Sequence, residues 1–194
     1  TLTGSFIKNL SGHGVYLVAG SDFNTISFST TISNAAGYQG LYITGSSSNT
    51  ILNSYIQGST AALISGSTGT VIGGSVLIAT NTAGAALALT GGDVNVRVTS
   101  SVLTAFMGTP GATPLYFDKY NKGWLVFSSN TLSGGQYGAY LSTQVSATQV
   151  WLTSNTILVS TSSALATYGL YVNNLLSGAT IQNNGIYYRR AGAV

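Results

Sequence analysis

Cysteine is absent from this 194-residue chain, and so is glutamate. Without cysteine there are no disulfides and no thiolate metal sites, and the redox compartment leaves no trace in the sequence. Charge of either sign is scarce: 5% of residues are Asp, Glu, Lys or Arg, against about 25% in an ordinary soluble domain. Solubility therefore rests on Ser, Thr, Asn and Gly. The net charge of +3 is the excess of six basic residues over three aspartates; Lys8, Arg97, Lys119, Lys122, Arg189 and Arg190 form no long basic run, so nucleic acid is not an expected partner. Long apolar runs are missing too. No stretch reaches the roughly 20 residues needed to cross a bilayer, and the first residues lack the charged and apolar regions of a signal peptide. Only two prolines occur, Pro110 and Pro114, and their closeness marks a loop over 110–114.

What is present is a repeat. Residues 49–66, reading NTILNSYIQGSTAALISG, hold three short strand pieces: Ile51 and Ile56 flank a small polar bend, and Ala62 and Ile64 follow a Gly-Ser-Thr turn. Similar blocks recur along the chain at about 20 to 30 residues, the spacing of stacked repeat architectures. One anchor position per block can be followed through Ile7, Ile32, Ile56, Val76, Leu103, Leu132, Ile157 and Ile186. The segments alternate with period two and are rich in Ile, Val, Thr and Tyr, which selects strands over helices. Fixed strands joined by elastic loops are what a stacked β-solenoid requires.

A second column follows the first anchor of each block by three residues: Ser5, Ser54, Gly74, Ser101, Asn130, Asn155 and Asn184. Small hydroxyls and amides satisfy backbone groups freed where a strand bends. Stacked at the inter-strand spacing of about 4.8 Å, Asn130, Asn155 and Asn184 form an asparagine ladder.

Through these turn asparagines, and through its Asn-Thr-Ile (49–51) and Gly-Leu-Tyr (40–42) motifs, nearly the whole chain resembles a right-handed parallel β-helix of the pectate-lyase-like kind. The resemblance implies an all-β, right-handed parallel β-helix of about seven full coils plus a partial coil, with three short strands per coil. The expected organisation is one solenoid domain over 1–194, a fragment or processed piece of a longer repeat protein. This architecture carries polysaccharide lyases and hydrolases, phage tailspikes, secreted adhesins and surface repeat proteins, so it speaks to fold more than to activity.

Lyases of the resembling kind use a calcium-binding cluster of acids with a basic residue, and the hydrolases use clustered aspartates. Here the acids are Asp22, Asp93 and Asp118 alone. Asp93 and Asp118 close neighbouring coils on one side, with Arg97, Lys119 and Lys122 nearby, and read as a surface ion-pair network; Asp93, Asp118, Lys119 and Lys122 are minor candidates for polar contact. His13 and Asp22 share the first coil, but His13 sits in a Gly-His-Gly turn and reads as solvated rather than as part of a triad. Gly91-Gly92-Asp93 reads as a turn, and Asn9-Leu10-Ser11 as a silent glycosylation sequon. No catalytic residue, metal site or cofactor is expected.

The strongest functional signal is aromatic. Tyr16, Tyr42, Tyr116, Tyr140 and Tyr171 each stand between two inward apolar residues of the third strand piece, and alternation turns them outward. Leu63 and Ala88 interrupt the column, leaving two patches. Three roles suit them: cross-strand stacking, packing on another chain, or a platform for sugar rings. The resulting expectation is a non-enzymatic extracellular or cell-surface structural or adhesive solenoid, with self-assembly into filaments or a surface layer as its form of action. Its expected partners are copies of itself or other parts of a longer chain, and polysaccharide. The alternative is a carbohydrate-binding or polysaccharide-processing β-helix. An ice-binding solenoid ranks last, because regular Thr-x-Thr rows are missing.

Overall fold

The computed structural model describes residues 1–106, 111–118, 120–142, 148–161, 167–173 and 178–190. Every regular element among them is a strand, and the 23 strands form three parallel sheets. The first sheet takes Leu2–Thr3, Thr25–Ser27, Thr50–Leu52, Val71–Gly73, Val94–Thr99, Lys122–Ser128, Thr148–Thr153 and Thr180–Gln182. Following each of these by two residues, the second sheet takes Phe6–Asn9, Thr30–Ser33, Tyr55–Gly58, Val76–Ala79, Val102–Thr104, Thr131–Gly134, Thr156–Thr161 and Gly185–Arg190. The third takes Val15–Leu17, Leu41–Thr44, Ala62–Ser65, Ala85–Thr90, Thr113–Phe117, Tyr137–Ser142 and Tyr168–Asn173. Neighbours within a sheet are always three strands apart in sequence. The chain therefore winds through the three sheets in turn and advances one strand per circuit, giving the expected seven full coils and a partial one.

The core is the column of inward side chains from all three sheets. Ile51, Ile56, Ile64, Ile72, Leu77, Leu87, Leu89, Phe117 and Phe127 are fully buried, each worth roughly 1.5–3 kcal/mol relative to exposure. The rings of Phe117 and Phe127 stack inside it, 6.0 Å apart.

Strand register corrects the anchor column at two places. The inward residues of the second sheet are Ile7, Thr31, Ile56, Leu77, Leu103, Leu132, Ile157 and Ile186. Ile32 and Val76 lie one residue out of step and face outward. A one-residue slip inverts every face of a strand, and choosing the most apolar residue picks Ile32 over its neighbour Thr31. Yet Thr31 is the fully buried one, with a side-chain oxygen that has no hydrogen-bond partner.

The corner between the first and second sheets is built from two residues in every coil. The first adopts a left-handed backbone: Gly4, Phe28, Asn53, Gly74, Ser100, Ser129, Ser154 and Asn183, with φ between 48° and 58°. The second is a serine or asparagine: Ser5, Ser29, Ser54, Ser75, Ser101, Asn130, Asn155 and Asn184. Each of the first seven donates its backbone N–H to the side-chain oxygen of the next, at 2.9–3.2 Å. Gly74 thus belongs to the left-handed column and Ser75 to the ladder, and Ser29 joins a column from which the sequence reading omitted it. Phe28 is the left-handed residue of its corner and stands exposed.

The proline loop is also corrected. Pro114 lies in the strand Thr113–Phe117, while Pro110 falls outside the described residues. Pairing with the following strand starts only at Leu115, so the amide proton that Pro114 lacks is not called upon there. Its ring covers Gly134, where any side chain would collide with Pro114 Cδ.

Candidate functional site

Tyr16, Tyr42, Leu63, Ala88, Tyr116, Tyr140 and Tyr171 are one register column on the outside of the third sheet. The interruption by Leu63 and Ala88 produces the two expected patches. In the first, Tyr16 stacks on Tyr42 with centroids 5.0 Å apart and planes 12° from parallel, and His13 packs against Tyr16, Tyr38 and Tyr42. In the second, Tyr140 lies between Tyr116 at 5.3 Å and Tyr171 at 5.0 Å, and Tyr137 and Tyr168 extend the cluster. Burial raises the phenol pKa of Tyr116 and Tyr137, with smaller contributions from neighbouring Asp118 and tyrosines.

Ring spacings close to the strand spacing of about 4.8 Å have a geometric consequence. The rings lie across the solenoid axis like coins in a roll, so each face within a stack is covered by the next ring. What the column presents outward is ring edges and hydroxyls.

His13 is not the solvated turn residue the sequence suggests. It is half-buried among three tyrosines, its Nδ1 accepts the Gln39 N–H at 3.2 Å, and burial lowers its pKa. Asp22 Oδ1 instead accepts the Ser47 N–H. The two side chains are engaged separately and form no catalytic pair.

Asp93 and Asp118 do approach across neighbouring coils, but not as a surface ion-pair network. Asp93 is completely buried. Its Oδ1 accepts from Ser67 N at 2.8 Å and its Oδ2 from Thr90 N at 3.0 Å, while its own N–H donates to Asn121 Oδ1 at 2.9 Å. Together with the bond from Ser46 N to Ser67 Oγ, this is a second ladder, at the corner between the third and first sheets. Burial pushes the Asp93 carboxyl up to about 7; the Ser67 and Thr90 amides oppose this, and the charge of Asp118 adds to it. Asp118 itself accepts from Gly91 N and Tyr120 N. Lys122 is exposed and donates its backbone N–H to Asp93 O; Lys119 lies outside the described residues. Serine, aspartate and asparagine recurring at the coil period was the signal for this ladder. No group of three or more potential metal ligands occurs among the described residues.

One surface escaped the sequence reading. On the outside of the first sheet, Arg97, Trp124, Val126, Ser128, Trp151 and Thr153 line an open groove of about 410 Å³. Arg97, Val126 and Trp151 are register partners on three successive strands. Ser128 and Thr153 are partners in the next outward row. The signal was available: these are the only two tryptophans in the chain, and Arg97, Val126 and Trp151 each immediately precede an inward anchor.

A family profile described as the right handed beta helix region matches residues 1–157. Among solved structures, the crystal structure of alginate lyase from Paenibacillus sp. str. FPU-7 is similar at 12% identity, covering 95% of this chain and 98% of that one, with a TM-score of 0.38. No curated protein matches the sequence.

Proposed function

The chain belongs to the right-handed β-helix family, and within it we propose a non-enzymatic structural or adhesive solenoid working at the cell exterior. One observation carries the non-enzymatic part: all three carboxylates accept backbone amides at coil corners. Asp22 holds Ser47, Asp93 holds Ser67 and Thr90, and Asp118 holds Gly91 and Tyr120. Hydrolysis of a glycosidic bond, like calcium-assisted elimination, asks for carboxylates free to carry a proton or to bind the cation. The exterior location is supported by the resemblance to surface β-helices and by solubility that rests on uncharged side chains.

The adhesive part is supported by the tyrosine columns. Aromatic edges bearing hydroxyls, on a surface poor in charge, suit packing against another chain. Sedimentation velocity tests it: the wild type assembles, and Tyr116→Ser/Tyr140→Ser/Tyr171→Ser yields monomers with unchanged β-type circular dichroism. A monomeric wild type leaves the tyrosines as a stabilising stack and removes the adhesive role. Cleavage of a polyuronate by the wild type, lost in Asp118→Asn, removes the non-enzymatic one. A second reading, a carbohydrate-binding solenoid, is favoured by the two indoles on the first sheet.

A further inference from the structure

We propose that the groove on the outer face of the first sheet binds an anionic saccharide, a pyranose carrying a carboxylate or a sulfate. This rests on the carbohydrate-binding reading and gives it a site separate from the tyrosine columns of the third sheet.

The geometry comes from strand alternation. Trp124 stands two residues before Val126 on the same strand, so both face outward, and Trp151 is the partner of Val126 on the next strand. The tryptophan Cα positions are thus one strand spacing apart in one direction and two residues apart in the other, roughly 8 Å diagonally. That is the scale of a sugar ring and its linkage. Val126 forms the floor between them. Earlier positions in this outward row are Thr25, Thr50 and Val71, so the large side chains are a local departure from an otherwise small row.

Three features select the ligand. First, neither indole belongs to any ring pair formed among the described residues, unlike the tyrosines. Trp124 is exposed and Trp151 half-buried, which leaves indole surface for the apolar C–H face of a pyranose. Second, Ser128 and Thr153 place hydroxyls beside the indoles, where sugar hydroxyls can donate and accept. Third, Arg97 is exposed at the edge of the groove, and the acids of the chain are bonded to backbone amides elsewhere. A planar guanidinium without a protein anion among the described residues fits a carboxylate or sulfate through two parallel hydrogen bonds. The groove volume lies within the range of about 300–1,000 Å³ usual for ligand sites.

The test uses calorimetry and tryptophan fluorescence with three hexasaccharides: oligogalacturonate, a sulfated cello-oligosaccharide and neutral cellohexaose. The expected result is binding of one or both anionic probes with a change in indole emission, and at least about tenfold weaker binding of cellohexaose. Which anionic probe binds tells carboxylate from sulfate. Trp151→Ala, and the milder Trp151→Phe if the first melts early by circular dichroism, weakens anionic binding by about tenfold or more. Arg97→Gln brings it down to the neutral level. Equal binding of all three probes overturns the charge selection. Anionic binding that survives Trp124→Ala and Trp151→Ala but disappears in Tyr140→Ser overturns this site while leaving the carbohydrate-binding reading standing. A folded wild type that binds none of the probes at millimolar concentration overturns both.

Discussion

Asn130 gives both its backbone N–H and its Nδ2 proton to one oxygen, Asn155 Oδ1, at 2.9 and 3.1 Å. Asn155 repeats the arrangement towards Asn184 and also donates to Phe127 O. Removing a side chain from this ladder strands buried groups on both neighbouring coils.

Asn155→Ala is accordingly expected to cost about 2–4 kcal/mol, since a buried unsatisfied polar group costs about 1–3 kcal/mol. Asn155→Ser should cost distinctly less, because serine fills the same position in the first five coils and accepts the preceding N–H there. Urea midpoints compare the three proteins. Equal midpoints for the alanine and serine variants would sink the idea that the side-chain oxygen carries the ladder.

Phe28→Gly is expected to raise stability by about 1 kcal/mol. The left-handed conformation costs a non-glycine residue roughly 1–2 kcal/mol, offset in part by the extra freedom of glycine in the unfolded chain. Phe28 has φ of 48° and is 67% exposed, so little packing is lost. A lower thermal midpoint would mean that its ring is held by a contact worth more than the backbone strain.

Thr31→Val should stabilise the second coil by about 1 kcal/mol, because it replaces an unpartnered buried hydroxyl with a methyl of the same shape. The valine would continue the apolar column between Ile7 and Ile56. Destabilisation on denaturant titration would show that the hydroxyl is satisfied.

Asp93 makes stability depend on pH. Its folded pKa of about 7 lies above the usual carboxylate value of about 3.9. Between these, the unfolded chain is ionised while the folded one stays protonated, so stability falls as pH rises from about 4 to about 7 and then levels off. His13, whose folded pKa is lowered, acts with the opposite sign. Midpoints at several pH values for the wild type and Asp93→Asn separate the two, since the variant should lose only the downward slope. Parallel profiles for both proteins would refute the assignment.

The repeat, the strand class and the number of coils were legible because stacked strands impose one pattern many times over. Register was legible only where each coil puts its most apolar residue inside, which fails at Thr31 and Leu77. There a buried threonine and a run of four apolar residues over 76–79 let the frame slip. The outward tyrosines could be placed because inward residues bracket them. Their ring orientation could not, because stacking along the axis is a relation between coils. The burial of Asp93 was hidden for a similar reason: in a chain so poor in acids a carboxylate reads as surface, and its corner position shows only when Ser67 and Asn121 are aligned with it.

The ladder between the first two sheets also sets an order in time. Every rung is donated by an earlier coil and accepted by a later one, with the acceptor arriving between 21 and 29 residues further along the chain. On a ribosome, each new corner amide waits for the following circuit to emerge before it is bonded. The last corner of any emerged stretch therefore keeps its amide unbonded within the ladder until the next circuit arrives.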